Sequence, residues 1–217
     1  MELTYIGHSC FKMKSKDSSI IIDPYDPKFT GLKLPKLDAN ILIITHEHLD
    51  HNYREGVSNF THIIEAPGEY EISGIFINGI STFHDDKKGV ERGKNTIYCI
   101  ELEDMTVLHL GDLGHELSEQ TIEKLPIVDI LLIPVGGGFT IDAKTASKVI
   151  SSLEPKIVIP MHYKSNQNPD ISDSLAPLEK FLDEMGGDKD ATKVDKLKVS
   201  KRDLEEETKV IVLLPQN

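Results

Sequence analysis

The stretch Ile41–His51, ILIITHEHLDH, constrains this chain more than any other. Its first four residues are apolar and three are isoleucines, a run that reads as a buried strand. The strand stops in a cluster of His46, Glu47, His48, Asp50 and His51. Three imidazoles and two carboxylates in six residues cannot form a core, because each polar group buried without a partner costs about 1–3 kcal/mol. In an extended segment His46 and His48 point to the same side and reach one cation at ~2.0–2.1 Å. Asp50 and His51 follow one step of backbone later and are placed to serve a second cation. The carboxyl end of a buried strand is also where α/β proteins put their sites.

Composition narrows the class. The chain has 217 residues, 39% hydrophobic and 28% charged, which fits a globular protein with one substantial core. We read residues 1–217 as a single domain, since no repeat, low-complexity tract or linker divides them. Its 24 basic against 36 acidic residues give a net charge of −12, which repels nucleic acid at long range. The chain shows no apolar run long enough for a membrane span and no export signal at its start. Cys10 and Cys99 lie among strand-like residues and read as buried free thiols, so a reducing cytoplasm is the expected setting. A homo-oligomer is compatible with all of this.

Along the chain, Leu3–Ile6, Cys10–Lys14 and Ser18–Ile22 read as antiparallel strands, the last ending at Asp23-Pro24. Residues 24–40 read as a lysine-containing loop and 52–59 as a short helix. Strands follow at His62–Glu65, Glu69–Ile72 and Ile75–Ile80, the last continuing to His84. Asp85–Asn95 reads as a turn or mobile loop. Thr96–Glu101 and Thr106–Leu110 form a hairpin that exits at Gly111-Asp112. Ser118 is a helix N-cap for a helix through Leu125, and Asp142–Leu153 is a helix between the strands Asp129–Pro134 and Lys156–Ile159. The second of these strands leads to His162. Gly136-Gly137-Gly138 reads as a tight turn, with an anion cradle as the alternative. Ser165–Asp170 reads as a polar loop and Ile171–Met185 as a helix starting near Pro177. One strand is expected around Val194–Val199 and a last one at Val210–Leu214.

Five strand ends thus carry Asp23, the His46–His51 cluster, His84, Asp112 and His162. That order resembles the metallo-β-lactamase superfamily, whose H-x-H-x-D-H signature stands here as His46-Glu47-His48-Leu49-Asp50-His51. The phrases Tyr5-Ile6-Gly7-His8-Ser9, His109-Leu110-Gly111-Asp112-Leu113-Gly114-His115 and Pro160-Met161-His162-Tyr163 resemble the branch of metal-dependent hydrolases that includes L-ascorbate-6-phosphate lactonase. The resemblance implies an α/β fold, a four-layer αββα sandwich. It implies that His46, His48 and His84 bind one metal, that Asp50, His51 and His162 bind a second, and that Asp112 bridges them. Asp23 would orient a ligating histidine.

Two divalent ions ~3.5–4 Å apart would activate a shared water, with Asp50 accepting its proton. Zinc is expected first, with manganese or iron next, since imidazole and carboxylate ligands admit all three and no cysteine takes part. His8, His109 and His115 are extra histidines near the ligand loops, for each of which a structural or supporting role is favoured over a catalytic one; His115 is the first to test as substrate contact or general acid. The expected activity is hydrolysis of a small ester, lactone or phosphoester, on a small-molecule substrate that is phosphorylated or not. The alternatives are a nuclease or RNA-processing phosphodiesterase, disfavoured by the charge, the short chain and the lack of an inserted domain to clamp a strand, and a non-catalytic metal-binding protein.

Overall fold

The chain forms two mixed β-sheets laid face to face, seen in a computed structural model that describes residues 1–165, 171, 173–187 and 191–217. The chain starts as an antiparallel meander of β1 (Glu2–Gly7), β2 (Cys10–Lys14) and β3 (Ser19–Ile22). A single helical turn, α1 (Pro27–Thr30), and the short β4 (Leu37–Asp38) precede β5 (Ile41–Ile43). After β6 (Val57–Ser58) come β7 (His62–Ile64), β8 (Gly68–Ile72), the long β9 (Ile75–Phe83) and β10 (Lys94–Leu102), then β11 (Met105–His109). The rest contains α2 (Glu119–Ile122), β12 (Ile130–Pro134), α3 (Ala143–Leu153), β13 (Ile157–Met161), α4 (Leu178–Glu184), β14 (Thr192–Val194), β15 (Leu197–Lys198) and β16 (Lys209–Leu213).

The first sheet runs β15-β1-β2-β3-β5-β7 and the second β14-β16-β13-β12-β11-β10-β9-β8. Alternate residues of both face one shared core: Leu3, Phe11, Ile20 and Ile41 from one side, Ile100, Val107, Ile130 and Ile159 from the other. This is the two-residue period of strands expressed as two layers. The outer face of the second sheet is covered by α3 and α4 through Ala146, Val149, Ile150, Phe181 and Leu182. The outer face of the first is covered by residues 24–40, with Tyr25, Leu32 and Leu37 packed on Ile21 and Leu42. The sandwich is the expected one, and its layer over the first sheet is mostly extended chain carrying one helical turn.

Some local expectations gave way to tertiary contacts. Residues 52–59 hold only a 3₁₀ turn, Arg54–Gly56, before Val57 pairs with Leu37 in a small parallel ladder that closes the outer core. The helix from Ser118 keeps its cap, the Ser118 hydroxyl accepting from Thr121 N–H, but stops at Ile122, short of Pro126. The region around Val194–Val199 is two strands in different sheets: β14 pairs with β16, and β15 with β1. The reading of 165–170 as a loop lies, beyond Ser165, outside the described residues. Cys10 and Cys99 are both buried and unbridged. Among the described residues no helix is long and apolar enough to cross a membrane.

Candidate metal centre

Strand direction brings the site together. β1, β3, β5, β9, β11 and β13 all end at the same rim of the sandwich, and His8, Asp23, His46, His84, Asp112 and His162 are the residues reached there.

Asp23 anchors the rim. It is fully buried with φ 51°, a left-handed conformation that Asp and Asn tolerate better than most residues. One carboxylate oxygen lies 2.9 Å from Nδ1 of His51 and accepts the Thr45 hydroxyl at 2.7 Å, while the other accepts Thr45 N–H at 2.8 Å. With its hydrogen given to Asp23, the Thr45 hydroxyl accepts Nδ1–H of His46 at 2.9 Å. One carboxylate therefore turns two imidazoles so that both present Nε2 to the rim.

Nε2 of His46 and Nδ1 of His48 stand 3.1 Å apart. Two nitrogens on one tetrahedral cation at ~2.05 Å would be ~3.3 Å apart. Donor atoms of His46, His48 and His84 lie within 4.8 Å of one another, and so do those of His8, Asp50, His51 and His162. Asp112 lies between the groups: Oδ2 is 3.1 Å from Nε2 of His84 and 3.3 Å from Nε2 of His162, and Oδ1 is 3.2 Å from Nε2 of His51.

Burial sets the protonation. Burial, then the neighbouring His51, pushes His46 well below the usual imidazole range, and burial with His84 lowers His48. Both are neutral, as metal ligation requires. Burial opposes charge on His51 too, but Asp112, Asp23 and Asp50 overcome it and raise its pKa well above normal. Burial would raise Asp112, yet His162 and His51 hold it well below the carboxylate range. Asp50 is likewise held low, against burial, by His51 and His8.

The donor set suits divalent cations. Nε2 of His51, Nε2 of His162 and Oδ1 of Asp112 are buried and make no well-aligned hydrogen bond, only ion-pair contacts with one another's residues at 3.2 and 3.3 Å. Donor atoms crowded this way in a protein interior are poorly satisfied, and a cation would satisfy all three. Nitrogen and oxygen donors without a thiolate fit zinc or manganese.

His8 and Asn95 belong to the rim as well. Nε2 of His8 lies 3.1 Å from Oδ2 of Asp50, and its carbonyl accepts His162 N–H at 2.9 Å. Burial, then His162, lowers its pKa to about 4, so it is neutral. The short turn between β1 and β2, with His8 at φ 56°, aims it. The signal in sequence was His8 in that hairpin turn. Asn95 is fully buried, accepts Asp112 N–H at 3.0 Å and donates to Leu110 C=O at 2.9 Å, which fixes Asp112. Nothing in its sequence neighbourhood marked it.

His109 and His115 stand apart. His109 donates to Ser9 C=O and accepts Gly111 N–H, each at 3.0 Å, so both nitrogens serve backbone. His115 also bonds to backbone: Nε2 accepts Phe83 N–H at 3.3 Å and Nδ1 donates to Glu116 C=O at 2.7 Å. The glycine run is no anion cradle either. N–H groups of Gly137, Phe139 and Thr140 bond within the turn.

A cavity of about 730 Å³ opens over the rim. His48, Asp50, His84 and Asp112 face it from below, and Lys28, Phe29, Leu49, Arg92 and Phe139 form its walls. The volume is in the range of small-molecule sites, about 300–1,000 Å³.

Residues 2–162 match the model of the Beta-lactamase superfamily domain. A UPF0173 protein of Pyrococcus abyssi is 30% identical over 186 residues, 75% of this chain and 83% of that one. A UPF0173 metal-dependent hydrolase of Methanopyrus kandleri is 26% identical over 87% of this chain and 94% of its own. Among solved structures, a candidate zinc-dependent hydrolase of the metallo-beta-lactamase superfamily from Thermotoga maritima is 34% identical, with a TM-score of 0.80 over 98% of this chain and 97% of that one. An isothiocyanate hydrolase from Delia radicum gut bacteria shares the fold, with 14% identity and a TM-score of 0.70 over 98% and 96% of the two chains.

Proposed function

Since the chain belongs to the beta-lactamase superfamily, and within it to the UPF0173 family, we propose that it is a metal-dependent hydrolase of a small ester, lactone or phosphoester. The observation that carries this reading is the set of buried donors of His51, His162 and Asp112, crowded together without a well-aligned hydrogen bond beneath an open cavity.

His46, His48 and His84 would hold one divalent cation, and Asp50, His51 and His162 a second, with Asp112 between. Such ions supply Lewis acidity and make water acidic enough to act as a nucleophile near neutrality. The chain's own residues do the rest. Asp23 holds the tautomers of His46 and His51, directly and through Thr45. Asp50 stays ionised, and the His8 ring holds its Oδ2, so its carboxylate is oriented to accept the proton of the attacking water. Leu49, Phe29 and Phe139 line the cavity and limit bulk water beside the substrate.

The test is elemental analysis of the purified protein, followed by an ester, lactone and phosphodiester panel with that metal restored. Two equivalents of zinc or manganese and turnover abolished by EDTA are expected. A fully loaded protein inactive across the panel would leave a metal-binding protein without hydrolytic function. RNA binding that weakens steeply with salt would redirect the search to nucleic acid, against the charge of −12.

A further inference from the structure

Arg92 is the most informative residue of the cavity wall. Its guanidinium lies over the Phe139 ring, 4.5 Å from the centroid. Among the described residues no carboxylate pairs with it. Arg54 by contrast holds Glu47 and Glu65, each at 2.5 Å. A planar cation stacked on an aromatic face keeps its donor edge for a partner in plane with it, and the ligands that match that fork are carboxylates and phosphates.

The backbone beneath it is held in place. The Asp85 carboxylate accepts four N–H groups, from Lys87, Gly89 and Arg92 at 2.8 Å and from Glu91 at 3.0 Å. His84 N–H bonds to Gly93 C=O at 3.1 Å, closing the loop onto a residue of the centre. Of the two readings of 85–95, a turn or a mobile loop, the turn holds, wound around a buried anion. On the other side, the glycine turn supplies Phe139. Lys28 borders the same cavity from α1, with Asp26 capping its N–H at 2.8 Å and no ion pair on its exposed ammonium among the described residues. Glu47 also borders the cavity, but Arg54 and Asn52 hold its carboxylate.

We propose that this wall selects a substrate with an anionic group, a carboxylate or phosphate, remote from the bond that is cut, gripped by Arg92 with Lys28 as second contact. A chain with net charge −12 repels such a molecule at a distance. Cations left without carboxylates beside the centre are what local recognition of an anion needs. The inference rests on the hydrolytic reading of the histidine cluster.

The test uses metal-loaded protein and three esters with one common leaving group. They differ at the far end of the acyl chain, which bears a neutral methyl ester, a free carboxylate or a phosphate. The preference in kcat/KM for the anionic over the neutral esters should fall roughly 10- to 100-fold in Arg92→Met, chiefly through KM, and recover in part in Arg92→Lys. The anionic ester that loses more identifies the group. Lys28→Met should lower the same ratio less. Equal effects of Arg92→Met on neutral and anionic esters, or none, overturn the proposal. In parallel, succinate, glycerol 3-phosphate and neutral glycerol are titrated calorimetrically into the loaded proteins. If no ester is turned over, the hydrolytic reading fails, and the titration decides the anion site alone. Anion binding weakened in Arg92→Met keeps it, and binding indifferent to Arg92 or equal for glycerol removes it.

Discussion

Oδ2 of Asp23 stands 2.9 Å from Nδ1 of His51, and neither side chain has any exposure to solvent. The same oxygen takes the Thr45 hydroxyl that steadies His46, so one carboxylate serves both halves of the centre. Asp23→Asn keeps the side-chain size and a residue type that accepts φ near 51°. It removes the negative charge and turns one acceptor into a donor. We expect a folded protein whose metal affinity is about 10- to 100-fold weaker, measured by competition with a chromophoric chelator.

His8 touches only the Asp50–His51–His162 side. His8→Asn preserves a backbone tolerant of φ 56° but withdraws the ring from Asp50. One metal equivalent should survive dialysis and the second should be lost at limiting metal, with turnover falling roughly 10-fold or more. Equal retention of both equivalents would show that His8 does not steady the second site.

The pH response of metal-stripped protein follows from the histidines. His8, lowered to about 4, and His46 and His48, also lowered, are neutral in the fold but take up protons in the unfolded chain below ~6.5. Their depressed pKa values contribute stability above ~6.5 that is lost as pH falls toward 4. His51 has the opposite sign: its raised pKa stabilises below ~6.5, and that contribution is lost as pH rises through its folded value. Burial lowers His109 as well, so four groups oppose one; urea midpoints of the stripped protein should fall between pH 7 and pH 5, and His48→Ala should flatten the slope.

Gly111 lies where the chain leaves β11 for Asp112. A Cβ there would sit 2.3 Å from Oδ1 of Asn95 and 2.8 Å from Cβ of Thr45, at φ 53°. Gly111→Ala should cost about 1–3 kcal/mol and shift Asp112. Denaturation with metal present and absent should show the larger loss in the loaded protein.

Strand edges, the α3 helix and the order of histidines and aspartates at strand ends were legible because they are local. A two-residue period writes buried faces into strands, and H-x-H-x-D-H places its donors within a few bonds of one another. The 52–59 helix was misread because Val57 is claimed by Leu37, twenty residues earlier, for pairing over the outer core. The bonds of His115 to Phe83 and Glu116 are backbone contacts that no local sequence pattern announces.

Sequence by itself determined which residues end strands in imidazole or carboxylate, since a polar group cannot continue into a dry core. Tertiary structure decided which of them meet: that His8 reaches Asp50, that Asn95 holds Asp112, and that Arg92 rests on Phe139. Those contacts join segments 17 to 47 residues apart. Their distances come from how two twisted sheets stack, a property of the whole core that no short stretch of chain contains.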